Sequence, residues 1–84
     1  MDFNFMTDRE IIEEARPKEY SEEVIIKDAL KKLGELSTMN DIQKYFKMSR
    51  SHIYRGIDER KILTFKTGKK VLIMTKTILN LLRK

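Results

Sequence analysis

Between residues 38 and 58 the chain carries two N-cap patterns, each followed by a short apolar pattern of helical spacing. Thr38 is followed three residues later by Asp41, a capping-box pattern that predicts a helix ending near residues 46–47. After a turn of about three residues, Ser49 is placed to cap a second short helix that runs to about residue 58. The residues of these helices that would face a core are Met39, Ile42 and Phe46 in the first, and Ile53 and Ile57 in the second. Two short helices joined by so tight a turn predict a helix-turn-helix.

The second of these helices combines an apolar side with a polar, cationic side. The side chains expected on its exposed face are Arg50, Ser51, His52, Tyr54 and Arg55. In helix-turn-helix proteins the second helix enters the major groove of DNA, and its first turn contacts the base edges. This face is therefore a candidate surface for nucleic-acid recognition. Two alternatives stay open: His52 as a surface histidine without a contact, and Tyr54 packed on the core.

Two more helices are predicted before this motif. Thr7 and Glu10 form another capping-box pattern, which predicts a short helix over residues 8–16 that ends before the single proline. Ser21 is expected to cap a longer helix that ends at Gly34, a residue suited to a left-handed C-cap. The apolar stripe of the longer helix consists of Ile25, Ile26, Ala29, Leu30 and Leu33. We interpret this stripe as part of the core, with docking to another protein as the alternative.

A β-hairpin is predicted after the helix-turn-helix. Its strands are expected over residues 62–66 and 70–74, with a tip at 67–69 where Gly68 can adopt a positive φ. The residues expected to point inward are Phe65, Val71 and Ile73, and the basic residues near the tip are Lys66, Lys69 and Lys70. Thr75 is then expected to cap a last helix with apolar positions at Ile78, Leu79, Leu81 and Leu82. This order predicts a mainly α fold with a small β-hairpin, a winged helix-turn-helix.

The charges are distributed unevenly along the chain. Residues 1–36 hold six basic and ten acidic side chains, a balance of −4, whereas residues 37–84 hold twelve basic and three acidic ones, a balance of +9. The net charge of +5 therefore conceals a strongly basic C-terminal part. Such a concentration of positive charge favours a polyanionic partner, either nucleic acid or an anionic membrane surface. We favour nucleic acid, because the basic residues do not line one long amphipathic helix.

The length and composition exclude several classes of function. The 84 residues fit one small domain, which we divide into an N-terminal extension over residues 1–20 and a folded domain over residues 21–84. With no cysteine and a single histidine, His52, the chain lacks the ligands of a zinc cluster and a cysteine nucleophile. It has no phosphate-binding glycine loop or catalytic motif, so we expect no enzymatic activity, metal or cofactor. An acidic N-terminus without a signal-peptide pattern, and no long apolar run, lead us to expect a cytoplasmic protein that does not bind membranes.

Four motifs of the basic part point to a known family. They are Leu36-Ser37-Thr38, Lys47-Met48-Ser49, Arg50-Ser51-His52-Ile53-Tyr54-Arg55 and Lys66-Thr67-Gly68-Lys69-Lys70. Together with a closing helix over residues 75–82, they resemble the winged helix-turn-helix domains of the excisionase and MerR-like DNA-binding group. The resemblance covers residues from about 36 to 84. The sequence departs from the pattern at Arg60, where the group usually has a glycine, and at Leu63, where it usually has a proline.

The resemblance implies that the second helix of the motif is a recognition helix and that the hairpin is a wing. The residues predicted to contact DNA are Ser49, Arg50, Ser51, His52, Tyr54 and Arg55 in the helix, and Lys66, Thr67, Lys69 and Lys70 in the wing. Arg50 can pair with guanine through two hydrogen bonds, and Ser51 and His52 can reach bases or phosphates from the same turn. Tyr54 and Arg55 would meet the DNA backbone. The wing lysines would contact phosphates or the minor groove, or only protect the hairpin edge.

The function implied is sequence-specific binding of double-stranded DNA without chemistry. We favour an excisionase-type recombination directionality factor of a mobile element, a protein that bends DNA beside an attachment site and assists an integrase. A small transcriptional regulator, a plasmid maintenance or replication protein, and a protein-interaction module that docks through the acidic N-terminal helices are the alternatives. Because one recognition helix covers few base pairs, we expect a homodimer or cooperative assembly on DNA. The expected partners are duplex DNA and, for the excisionase role, an integrase.

Overall fold

The computed structural model describes residues 2–83 as a mainly helical chain with a small antiparallel sheet. The α-helices are α1 (Asp8–Glu14), α2 (Tyr20–Leu33), α3 (Met39–Phe46), α4 (Arg50–Asp58) and α5 (Leu79–Leu82). The strands are β1 (Leu36–Ser37), β2 (Thr64–Thr67) and β3 (Lys70–Met74), and 3-10 turns lie at Phe3–Phe5 and Thr75–Ile78. The predicted mainly α architecture with a hairpin is confirmed. Residues 1 and 84, which begin the predicted extension and end the predicted domain, lie outside the described residues.

The central strand of the sheet is β3, because the strand order is β1-β3-β2 and both pairings are antiparallel. β2 and β3 form the predicted hairpin, with Thr67 opposite Lys70 across the tip. β2 begins two residues later and ends one residue later than the expected strand. The sequence pattern does not predict β1, since its two residues are too few to show alternation. They form a strand only because Leu36 pairs with Met74, far along the chain.

One hydrophobic cluster joins the helices and the sheet. Its buried members are Ile26, Ile42, Ile53, Ile62, Ile73, Ile78, Leu79 and Leu81. The apolar stripe of α2 packs largely into this interior, with Ala29 fully buried and Leu30 and Leu33 partly buried against the cluster. Ile25 is the exception, with 41% of its surface exposed. The core thus takes one side of α2 and leaves its other side in solvent.

The N-terminal helix α1 packs on the closing segment of the chain. Ile11 and Ala15 of α1 are buried. The Asn80 side-chain amide donates to the Ile11 carbonyl at 3.0 Å and to the Lys61 carbonyl at 2.9 Å. One buried amide therefore joins α1, the connection before β2 and α5.

Arg83 provides a second tie between the end of the chain and its beginning. Its guanidinium donates to the carbonyl oxygens of Glu14 and Arg16, and it pairs with the Glu22 carboxylate at 2.8 Å. The Arg83 hydrogen bonds, helped by the Lys18 backbone N–H, lower the pKa of Glu22 to about 2. This carboxylate is therefore ionised throughout the neutral and mildly acidic range.

The helix α2 is also joined to α3. The Tyr45 hydroxyl donates to the Asp28 carboxylate, and Lys32 lies 3.3 Å from the same carboxylate. The Tyr45 hydrogen bond lowers the pKa of Asp28, and the same bond together with burial raises the pKa of Tyr45 to about 12. These contacts fix the flank of α2 that faces α3.

Two of the expected helix boundaries are wrong. α1 ends at Glu14 rather than at residue 16, with Ala15 as its C-cap. α2 begins at Tyr20, so its N-cap is Glu19 and not Ser21. The Glu19 side chain makes no capping bond; the carboxylate in the first turn, that of Glu22, instead accepts the Lys18 N–H at 2.8 Å.

Two of the three hairpin residues that were expected to point inward do not lie in the core. Only Ile73 is buried, whereas Phe65 is 54% exposed and Val71 is 42% exposed. Phe65 pairs with Leu72 and therefore lies on the opposite side of the sheet from Ile73, because side chains alternate along a strand. Val71 shares the face of Ile73 but lies one pair from the hairpin tip, beyond the reach of the core.

Thr75 does not cap the closing helix. It is the first residue of a 3-10 turn, and its buried hydroxyl is hydrogen-bonded to that of Ser37. The Thr77 hydroxyl instead bonds within this turn, donating to the Met74 carbonyl at 2.7 Å. The closing helix is accordingly a 3-10 turn followed by one short α-helical turn, and Leu82 on it is exposed.

Candidate nucleic-acid interface

The turn between α3 and α4 is built from local hydrogen bonds. The Thr38 hydroxyl accepts the Asp41 N–H at 3.1 Å at the start of α3, and Lys47 ends that helix in the left-handed conformation, with φ 55°. Ser49 then caps α4, its hydroxyl accepting the His52 N–H at 3.1 Å. The predicted cap residues and the bounds of α4 are confirmed. The turn fixes where the first residues of α4 lie.

The buried side of α4 contains a close contact, between Gly56 and Leu81, that the sequence analysis missed. Ile53 is fully buried, as expected, and Gly56 is buried one turn later. A Cβ atom at Gly56 would lie 2.8 Å from Cδ1 of Leu81, closer than real Cβ contacts allow. Gly56 therefore lets α4 approach α5, which holds the polar side of α4 outward. A glycine within an otherwise amphipathic helix was the available signal.

The other side of α4 presents every residue that the sequence assigned to it. Ser49, at the cap, is exposed, and so are the five predicted contact residues Arg50, Ser51, His52, Tyr54 and Arg55. Tyr54 has 50% of its surface exposed to solvent. The alternative that it packs in the core is therefore wrong. The helix thus carries two arginines, two hydroxyls and an imidazole on one accessible surface.

The hairpin presents a second exposed cationic surface. Every residue of β2 is exposed, and the tip is a two-residue turn in which Gly68 has φ 58°. The predicted positive φ at this glycine is confirmed. The predicted contact residues of the hairpin, all of them exposed, are Lys66, Thr67, Lys69 and Lys70.

The basic residues of the protein fall into two groups by their partners. Among residues 2–83, those that form ion pairs are Arg16, Lys18, Lys32, Arg60, Lys61 and Arg83. Within the same part of the chain, Arg50 and Arg55 of α4 and the three hairpin lysines have no acidic partner. The structure also adds Lys44 and Lys47, two exposed lysines of the segment that leads into α4. Positive charge left without internal partners attracts an external anion more strongly.

The connection from α4 to β2 is closed by Arg60. It adopts the left-handed conformation with φ 59°, its N–H donates to the Ile57 carbonyl, and the next N–H, of Lys61, donates to the Gly56 carbonyl at 2.9 Å. These are the two bonds of a Schellman motif, whose left-handed residue is usually glycine. Here the arginine adopts that conformation, and its guanidinium bonds Asp8 of α1 at 2.6 Å.

Within the described residues, no cluster of three or more histidine, cysteine, aspartate or glutamate side chains could hold a metal ion. None of the helices in that same stretch is long and apolar enough to cross a bilayer. Comparison of the chain with protein-family models, curated proteins and solved structures yields no match.

Proposed function

We propose that this protein binds double-stranded DNA through a winged helix-turn-helix, with α4 as the recognition helix and the β2–β3 hairpin as the wing. The observation that carries the proposal is the exposed face of α4. Its two arginines have no acidic partner within residues 2–83, although the chain pairs several of its other basic residues internally. A helix anchored on one side and cationic on the other suits insertion into a groove lined by phosphates.

The arrangement of the elements supports this proposal. α3 and α4 follow each other across a short turn, and a three-stranded antiparallel sheet with a projecting hairpin packs beside them. The glycine that the excisionase and MerR-like group usually has after its recognition helix is replaced by Arg60, which adopts the conformation that glycine favours. This departure from the group's pattern is therefore compatible with the same path of the chain.

The proposed contacts are of two kinds: contacts to bases, which select the DNA sequence, and contacts to phosphates, which position the protein on the DNA. Arg50, in the first turn of α4, reads guanine through a bidentate pair that is worth about 1–3 kcal/mol of discrimination. Ser51 and His52 contact bases or phosphates beside it. Lys69 and Lys70 at the wing neutralise phosphates, which adds affinity for every sequence and makes binding sensitive to salt.

The role we propose is that of an excisionase-type recombination directionality factor, which acts by shaping DNA for an integrase. It rests on the resemblance of the recognition-helix and wing motifs. It predicts that the bound DNA is bent, since architectural factors deform their sites. A measurement of the bend angle on circularly permuted fragments, followed by excision with the integrase of the same element, tests this role separately from binding.

The binding experiment begins with selection of preferred sequences from a random duplex library. The selected and a scrambled duplex are then titrated at two salt concentrations with the wild type, Arg50→Ala and Lys69→Ala/Lys70→Ala. The matched controls are Arg9→Ala and Arg9→Ala/Arg16→Ala, which remove the same charges from α1 and its end.

We expect Arg50→Ala to lose about 5- to 150-fold in affinity for the selected site and little for the scrambled one, which corresponds to 1–3 kcal/mol. The wing variant should weaken binding to both duplexes and lower the salt slope by about 0.9 for each phosphate that the wing no longer neutralises. Absence of salt-sensitive binding by the wild type, or an equal loss in the Arg9→Ala control, would contradict the proposal.

A further inference from the structure

The outward side of α2 forms an exposed surface that the DNA-binding proposal does not use. A groove of about 430 Å³ runs along it, with Tyr20, Val24 and Lys27 on its edge and Ile26 and Leu30 among its lining residues. Tyr20 is 80% exposed and Val24 is 48% exposed, a large aromatic and a β-branched residue in solvent on adjacent turns of one helix. We call this surface, made of residues 20, 23, 24, 27 and 31, the α2 seam.

The charges of α2 are also arranged asymmetrically along its axis. Glutamates occupy its first turn, and lysines occupy its last turn. On the inward flanks these charges are already paired, because Glu22 binds Arg83 and Asp28 binds Lys32. On the α2 seam, Glu23 and Lys27 have no ion-pair partner among the described residues. The seam thus carries an unpaired negative charge near its start and an unpaired positive charge near its middle.

We propose that the α2 seam is the interface of a homodimer in which two α2 helices pack antiparallel across a two-fold axis near Val24. In such a two-fold symmetric contact, every pair formed by one residue of the first copy and another residue of the second copy occurs twice. Antiparallel packing brings Glu23 of one copy opposite Lys27 of the other, and the symmetry repeats this pair. Parallel packing would instead place like charges together. The charge pattern of the helix therefore selects one orientation.

The apolar residues of the seam fit the same arrangement. A two-fold axis near Val24 brings the two valines close together and places each Tyr20 ring within reach of Lys27 or Lys31 of the second copy. A lysine ammonium is attracted to the face of a tyrosine ring. The helix of 14 residues is about 21 Å long. The contact is accordingly small, and we expect a reversible dimer rather than an obligate one.

This interface would give a function to the dimer on DNA. Two copies joined through α2 would carry two recognition helices related by a two-fold axis, which predicts two inverted half-sites. The interface itself does not depend on DNA binding. Self-association is measured without DNA, so failure of either proposal leaves the other standing.

The test is sedimentation equilibrium of the purified chain over a range of concentrations. We expect the wild type to dimerise reversibly, and Lys27→Glu and Glu23→Lys each to weaken the dimer about tenfold, because each creates two like-charge contacts. Mixing the two variants should restore association, since the mixed dimer again pairs opposite charges at both symmetric positions. A merely structural effect of either substitution would not be repaired in this way.

The matched control is a second exposed tyrosine on a helix. Tyr20→Ala should weaken the dimer, whereas Tyr54→Ala on α4 should not. A wild type that stays monomeric at every concentration would overturn the proposal. So would a dimer that neither charge reversal affects, or one that the mixture of the two variants fails to restore.

Discussion

The backbone at Arg60 predicts that a glycine there would make the protein more stable than an alanine would. Arg60 closes the Schellman motif after α4 in the left-handed region, with φ 59°. Its side chain forms one exposed ion pair, with Asp8. The informative comparison is between Arg60→Gly and Arg60→Ala. Both variants remove the ion pair, and only the glycine variant also removes the Cβ atom that disfavours this conformation.

The size of the effect follows from two opposing contributions. A left-handed residue with a Cβ costs about 1–2 kcal/mol. Against this, a glycine gives the unfolded chain more conformational freedom, which lowers the free energy of unfolding by about 0.4–1 kcal/mol. We therefore expect Arg60→Gly to exceed Arg60→Ala by about 1 kcal/mol in the free energy of unfolding, or about 4–8 °C in Tm for a domain of this size.

Urea unfolding followed by circular dichroism measures both variants. The same comparison at Lys47, which has φ 55° and no ion pair among the described residues, provides an independent second site. If Arg60→Gly proves no more stable than Arg60→Ala, the backbone at Arg60 is not strained as we infer. Loss of the Asp8 ion pair could not explain that result, since both variants lack the pair.

Two further predictions concern stability. The pKa of Glu22 is lowered to about 2 by Arg83, so its contribution to stability is present above the ordinary glutamate value of 4.5 and is lost as the pH falls from there towards 2. Glu22→Gln should therefore be less stable than the wild type at neutral pH, and the difference should vanish near pH 2; a difference independent of pH in urea titrations would argue against this pair. Gly56→Val should lower the free energy of unfolding by about 1–3 kcal/mol, because its side chain would overlap Leu81. In a double-mutant cycle, Leu81→Ala should recover part of that loss, and strictly additive effects would contradict the proposed contact.

The segment of α3 and α4 was the most predictable part of the fold. Its caps join residues three apart in the chain: the Thr38 hydroxyl to the Asp41 N–H, and the Ser49 hydroxyl to the His52 N–H. Such bonds depend only on residues close together in the chain, so the sequence pattern predicted both of them. The same reasoning failed at Ser21, because the helix begins one residue before it, at Tyr20, and its N-cap Glu19 makes no side-chain capping bond.

The hairpin shows where local pattern stops being informative. The alternation of side chains along a strand correctly predicts that successive residues of β3 lie on opposite faces of the sheet. It does not indicate how far along each face the core extends. Val71 and Ile73 share one face, and only Ile73 is buried. Where the core ends depends on side chains from α3 and the closing segment, which the strand's own sequence does not contain.

The exposure of the candidate site residues was predictable because an amphipathic helix and a basic hairpin both reveal their exposed sides in sequence. The sequence does not show in the same way which basic side chains remain without an acidic partner. Arg60 and Arg83 resemble Arg50 and Arg55 in the sequence, yet each of the first two binds a carboxylate more than 50 residues away. These two pairs of arginines differ only because α1 packs beside the connection that holds Arg60 and α2 packs beside the end of the chain that holds Arg83.

By itself, the sequence determined the helices, most of their caps and the concentration of positive charge, since each depends on residues close together in the chain. The tertiary structure decided the third strand, the buried face of the hairpin and the pairing of the charges. It also decided that α2 keeps an outward seam, because the core has room for only one side of that helix. These features depend on contacts between distant segments, whose energies no local pattern contains.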